Sequence, residues 1–202
     1  MENSIPVVKH VEWIKDGFLL YKKNFVVLVL ATLVAAIMNF ITLQLLFGPM
    51  FAGLIVIILA CLDNKEPKAK VRDIFNGFQY FLNSFLFFLM WAIPSVVIAL
   101  SLAWIPSAEQ GPITAVFILV SISTFVMFGM FLIVDRKMNF WQASKASINL
   151  VKANFFPFAG LMIVAGILYS IGSLAWGIGI IITMPIGACI IAVAYRDLFG
   201  KQ

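Results

Sequence analysis

Apolar positions in this chain gather into four long uncharged stretches, Asn24 to Leu62, Ile74 up to Glu109, Gln110 to Val134 and Ala153 to Tyr195. A helix needs about 20 apolar residues to cross about 30 Å of hydrocarbon. The first and last stretches, each near 40 residues, are too long for one crossing and suit two. Turn signals fall where a hairpin needs them: Gly48-Pro49 in the first, Ile105-Pro106 through Gly111-Pro112 between the middle pair, and Trp176-Gly177 with Gly179 in the last. The pattern predicts an all-α integral membrane bundle of about six transmembrane helices, at 25–47, 49–62, 85–105, 112–134, 155–176 and 178–195. The second would reach only about 21 Å at 1.5 Å per residue. Either its turn lies nearer Gln44, or that hairpin does not fully span.

A second pattern underlies the first. Val11, Ile14, Phe18, Tyr21 and Phe25 follow a 3-4-3-4 spacing, as do Val71, Ile74, Phe78, Phe81 and Phe85, and Trp141, Ser144, Ile148, Val151 and Phe155. Offsets of 60 and 130 superpose the three segments, aligning Gly17 with Gly77 and Ser147, and Asn24 with Ser84 and Asn154. Each second span then carries a proline, Pro49, Pro112 or Pro185, and an aspartate near its end, Asp63, Asp135 or Asp197. The expectation is a single membrane domain over 1–202, built of three units at about 8–65, 68–137 and 138–200. Each unit is an interfacial amphipathic helix followed by a transmembrane hairpin. The 3-4 spacing puts an apolar stripe on one face and residues such as Lys15, Lys22, Lys23, Lys145 and Lys152 on the other. Such a helix lies in the interface, with its lysines among anionic headgroups. Asn24, Ser84 and Asn154 are expected to mark the bend into the membrane, their side chains accepting from the freed amides of the next helix. Small-xxx-small pairs, Gly48 to Ala52, Gly166 to Ser170 and Ser173 to Gly177, predict close helix approach.

Composition agrees with lipid as the solvent. The 202 residues are 63% apolar and 11% charged, with a mean hydropathy of +1.06, against about 45–50% and 25% in soluble domains. That excludes a soluble enzyme, a secreted disulfide scaffold and a free nucleic-acid binder. The net charge of +5 reads as orientation: all 14 Lys and Arg flank the spans on one side, which the positive-inside rule makes cytoplasmic. The expected location is the inner, cytoplasmic membrane, multi-pass, with both termini cytoplasmic. Trp104 and Trp176 would mark the outer interface, and Trp13, Tyr80, Trp141 and Tyr195 the inner one. Glu2 and the late start of the apolar run at Phe25 predict no cleavable signal peptide.

Candidate chemistry is sparse. No Asp, Glu, Lys, Arg or His falls inside a predicted span, which disfavours a proton-coupled transporter. The polar groups at depth are Asn39, Thr42, Gln44, Ser95, Ser101, Ser121, Ser123, Thr124, Tyr169, Ser170, Ser173 and Thr183. Such hydroxyls bond back to their own helix as readily as they line a path. His10 is the sole histidine, and no nucleophile, base and orienting group assemble around it, so no catalytic residue is assigned. Cys61 and Cys189 without histidine partners suggest neither a metal site nor a disulfide, and no cofactor is expected. The exit aspartates have basic neighbours, Lys65, Arg136 and Arg196, that predict ion pairs.

Trp13-x3-Gly17-Phe18, Lys23-Asn24-Phe25, Gly48-Pro49 with Gly53, Pro67, Asp73-x-Phe75-x-Gly77-Phe78, Val134-Asp135, Trp141-x-Ala143 and the run from Ser147 to Asn154 give the chain its resemblance to a family. It resembles uncharacterised bacterial polytopic inner-membrane proteins, similar to the membrane domain attached to some glycerophosphodiester phosphodiesterases. The resemblance implies a helical inner-membrane bundle. The acidic metal ligands and histidines of the phosphodiesterase domain have no match in these motifs, so that activity is not carried over. The expected function is that of a non-enzymatic structural, regulatory or lipid-interacting membrane protein. Its partners would be membrane lipids, with a protein partner or a second copy of itself, and no nucleic acid. The alternative is a channel or transporter for an apolar or amphipathic solute.

Overall fold

In a computed structural model, residues 9–103, 111–174 and 178–200 are described. Trp104, Ile105, Pro106, Glu109, Trp176, Gly177 and Lys201 therefore lie outside the described residues. Among those described, every regular element is helical: α1 His10–Lys23, α2 Phe25–Ile41, α3 Phe47–Leu62, a 3₁₀ helix Val71–Tyr80, α4 Phe81–Ala103, α5 Gly111–Val126, α6 Gly129–Arg136, α7 Phe140–Ala153, α8 Phe155–Leu174 and α9 Ile180–Phe199. Four runs are long and apolar enough to cross a membrane, Val71–Ile98, Val116–Arg136, Phe155–Leu174 and Ile180–Phe199, and a fifth if α1 and α2 are taken together. The pair α1 and α2 is bent by 86°.

Several boundaries differ from the sequence expectation. The first hairpin turns at 42–46, the alternative near Gln44 and not Gly48-Pro49, and there Leu43 and Gln44 adopt positive φ of 49° and 70°. Gly48-Pro49 instead lies in the first turn of α3. Gly48 is needed there for approach, because an added Cβ would stand 2.6 Å from the Ser84 carbonyl oxygen of α4. Moving the turn lengthens α3 to 16 residues, about 24 Å. The expected single helix over 112–134 is broken at Met127 and Phe128 into α5 and α6.

The bend residues also behave differently from one another. Asn24 and Asn154 each interrupt the helical run. Asn24 closes α1 rather than opening α2: its Nδ2 donates to the Leu20 carbonyl at 3.0 Å, and no side-chain bond caps α2. Ser84 marks no bend. The change from 3₁₀ to α geometry falls between Tyr80 and Phe81, and Ser84 sits inside α4 with its hydroxyl donating to the Phe81 carbonyl.

The helices sort into two rings. Met50, Leu54, Ile55, Ile57 and Ile58 of α3, Phe131 and Ile133 of α6, and Ala188, Cys189, Ile190, Ala192 and Tyr195 of α9 are buried in one continuous core. The outer helices expose large apolar side chains: Val26, Leu30 and Ile37 on α2, Ile93, Val96 and Val97 on α4, and Ile163, Ile167 and Ile171 on α8. Contacts follow a cyclic order. α1 packs on α9, the 3₁₀ helix on α3, and α7 on α5 and α6. Likewise α2 meets α9, α4 meets α3, and α8 meets α5.

Candidate functional site

The strongest concentration of chemistry lies where α3, α6 and α9 end. Arg196, late in α9, reaches both exit aspartates of the other two inner helices. Its Nε and Nη2 donate to Asp63 at 3.1 and 2.8 Å. Its Nη1 and Nη2 donate to Asp135 at 2.7 and 2.8 Å, and Nη1 also reaches the Gly200 carbonyl at 3.1 Å. The guanidinium is thus forked twice, the geometry that makes arginine the carboxylate binder of choice. All three side chains are over nine-tenths buried. Tyr195 donates its hydroxyl to Asp135 at 2.8 Å, and Arg136 donates to the Phe199 carbonyl at 2.6 Å.

Beneath this closure sits an aromatic layer. Tyr195 stacks with Phe131 and Phe199 at centroid distances of 5.4 and 4.9 Å, and Phe128 contacts Phe158, Tyr195 and Phe199. Trp13 stacks on Phe158 and donates its indole N–H to Asp197 at 3.0 Å. The third exit aspartate therefore ties α1 to the end of α9 and does not join the other two. Trp13 and Tyr195 are enclosed, not the interfacial belt residues the sequence suggested, because each finds a carboxylate for its polar atom: Asp135, buried, for Tyr195, and Asp197, exposed, for Trp13. Trp141 is exposed, with Lys145 over its ring at 5.0 Å.

Gly17, Gly77 and Ser147 are all buried against a neighbouring helix, the two glycines by close backbone approach and Ser147 by hydrogen bonds. A Cβ at Gly17 would stand 2.5 Å from Ile190 Cα, and one at Gly77 would overlap the Pro49 carbonyl and the Gly53 backbone. Ser147 donates to the Phe125 carbonyl at 2.7 Å and accepts from the Phe128 amide at 3.3 Å. Its hydroxyl thus satisfies backbone groups freed by the break between α5 and α6, as a buried break requires. The three prolines take unlike positions: Pro49 in the first turn of α3, Pro112 second in α5, and Pro185 inside α9.

Lys15, Lys22, Lys23, Lys145 and Lys152 are exposed on α1 and α7, and Lys23 also donates to Asn64 at 3.4 Å. The hydroxyls at depth are spent locally. Ser121, Ser123 and Thr124 donate to carbonyls four residues back at 2.8, 2.7 and 2.7 Å, and Ser95, Ser101 and Ser170 do the same. Gly166 has open space where a Cβ would stand, so it makes no close approach. Among the described residues no three His, Cys, Asp or Glu side chains converge as a metal site, and both cysteines are free. The closure offers little reactivity: the guanidinium's donors are taken and both carboxylates are paired.

Sequence reasoning placed Arg196 beside an aspartate but did not identify its two partners. Only the order of inner helices around the core brings Asp63 and Asp135 to it. No protein-family model, curated protein or solved structure matches the chain. Its class is accordingly what its own fold defines: an all-helical protein with four to five apolar helices of membrane-spanning length.

Proposed function

We propose that this is a multi-pass inner-membrane protein of three hairpin units around a pseudo-threefold axis, acting as a non-enzymatic, lipid-interacting structural or regulatory element. The three-unit reading is supported by the cyclic contacts, in which each amphipathic segment leans on the second span of another unit. On this reading α2 with α3, α4 with α5 and α6, and α8 with α9 are the hairpins. The two shortest spans on this reading, α2 and α3 at about 24–26 Å, match the bilayer by local thinning. The one-sided basic residues put both termini and the ion cluster on the cytoplasmic face. Membership of the inner-membrane family resembled above fits the same architecture.

The single observation that carries the functional reading is the closure itself. Arg196, Asp63 and Asp135 join all three units at one end, above an aromatic layer. Each exposed lysine of the collar near an anionic surface contributes about 1 kcal/mol of attraction. The protein then presents a sealed apolar body to the bilayer and a basic rim to anionic lipid or to a partner's acidic face.

Reconstitution into vesicles tests this. Efflux of a small amphipathic dye is expected to match that of protein-free vesicles, and a spin-labelled phosphatidylglycerol is expected to be enriched at the protein over phosphatidylcholine. Replacing Lys15, Lys22, Lys23, Lys145 and Lys152 together by Gln should remove that enrichment. Protein-dependent dye efflux would instead support the channel or transporter reading. Labelling of Ser107→Cys from outside, with Lys68→Cys protected, tests orientation separately.

A further inference from the structure

A groove of about 710 Å³ lies between α2, α3 and α9, at the end away from the ion cluster. That volume is in the range of ligand pockets, about 300–1,000 Å³. Its walls are largely apolar, with Met50 and Leu54 of α3 at its back and Met184 of α9 on one side. Its lip is formed by Leu33, Ile37 and Phe40, all exposed, so it opens sideways to whatever surrounds α2.

Three polar side chains, Thr32, Asn39 and the exposed Gln44, interrupt this wall. Asn39 is 9% exposed, and its Oδ1 has no hydrogen-bond partner. The nearby Thr32 hydroxyl is satisfied by the Leu28 carbonyl at 2.8 Å. An unpaired amide oxygen in an apolar wall is costly, and Asn is a poorer helix residue than Ala or Leu. That oxygen is closed to solvent, so a donor meets it from the groove when the Asn39 amide turns outward, which fits a ligand that brings both a chain and a donor.

We propose that this groove binds one apolar chain terminating in a hydroxyl, the hydroxyl donating to the Asn39 amide and the chain lying between α2 and α9. A carboxylate or phosphate head is a poorer match, because the groove's walls carry no basic residue. The proposal rests on the membrane-embedded reading above, with the acyl region as the source of the ligand. A free long-chain alcohol supplies that chemistry; a diacylglycerol, whose hydroxyl stands on a glycerol bearing two acyl chains, does not.

The test uses the full chain in phosphatidylcholine vesicles, with a diazirine-bearing hexadecanol as probe and cross-linked peptides located by mass spectrometry. Labels are expected to concentrate in peptides covering 32–54 and 178–184. Hexadecanol should suppress them, and hexadecane and dioleoylglycerol should not. Asn39→Leu should cut the preference for alcohol over alkane by roughly fivefold, the effect of one net hydrogen bond. Ala36→Phe, which fills the groove one helical turn before Asn39 and leaves the amide in place, should abolish groove labelling and serves if Asn39→Leu fails to fold. Equal competition by hexadecane, or unchanged labelling in both variants, would overturn the site. A diazirine alkane labelling α4 and α8 reports embedding independently, so failure of the groove and failure of the membrane reading are distinguishable.

Discussion

Gly77 and Ser147 occupy the same position in the 3-4 spacing of their segments, and each is pressed against a neighbouring apolar span. At Gly77 that span, α3, is unbroken and comes so close that backbone meets backbone. At Ser147 the facing span is broken between α5 and α6, and a hydroxyl fills the breach with two hydrogen bonds. One register position is thus met by two kinds of contact. Where the neighbouring helix is intact, absence of a side chain gives the closest packing; where it is broken, a small polar side chain is worth more than closeness.

The largest effect expected from this contrast is at the glycines. Leu at Gly77 meets backbone that cannot rotate away, so a loss of more than about 4 kcal/mol is expected, read as disappearance of the monodisperse peak in mild detergent. Gly17→Leu, against Ile190, should behave comparably; an unchanged thermal midpoint in either variant would break the argument from close approach.

Next in size is Arg196→Met, which strands two buried carboxylates and should cost about 3–5 kcal/mol. Adding Asp63→Leu and Asp135→Leu should recover most of that loss, since a well-packed apolar replacement of a buried ion pair is often neutral. Ser147→Ala should cost about 1–3 kcal/mol by leaving the Phe125 carbonyl and Phe128 amide unpaired. If Ser147→Ala were neutral while Gly77→Leu was severe, the hydrogen-bonded half of the contrast would fail. The smallest effect is expected at Ser121→Ala, within about 0.5 kcal/mol, because that exposed hydroxyl only bonds back to its own helix. Thermal unfolding in detergent measures all three.

Much of the fold is legible in the residues. The long uncharged stretches predict apolar helices of spanning length, and the 3-4 spacing predicts α1 and α7. What the spacing does not distinguish is which apolar face meets protein and which meets lipid, since lipid tails are as apolar as leucine. On α1 the stripe divides: Tyr21 is buried and Val11 and Phe18 are exposed, while Trp13, Gly17 and Leu20 complete the inner face. The break before α6 left a faint signal in Gly129, which admits the Phe87 ring where a Cβ would clash. The turn at 42–46 left none stronger than Gln44, because a hairpin turn needs only two residues that tolerate positive φ.

By itself the sequence determined the long apolar stretches, the helical class in which they fold, and the segregation of basic charge to their flanks. Tertiary structure alone decided the partners. Arg196 lies far along the chain from Asp63 and Asp135, and only the packing order of three inner helices brings one guanidinium between two carboxylates. It also decided that Asn39 should stand unpaired beside a groove, a consequence of how α9 passes α2 that no local pattern encodes.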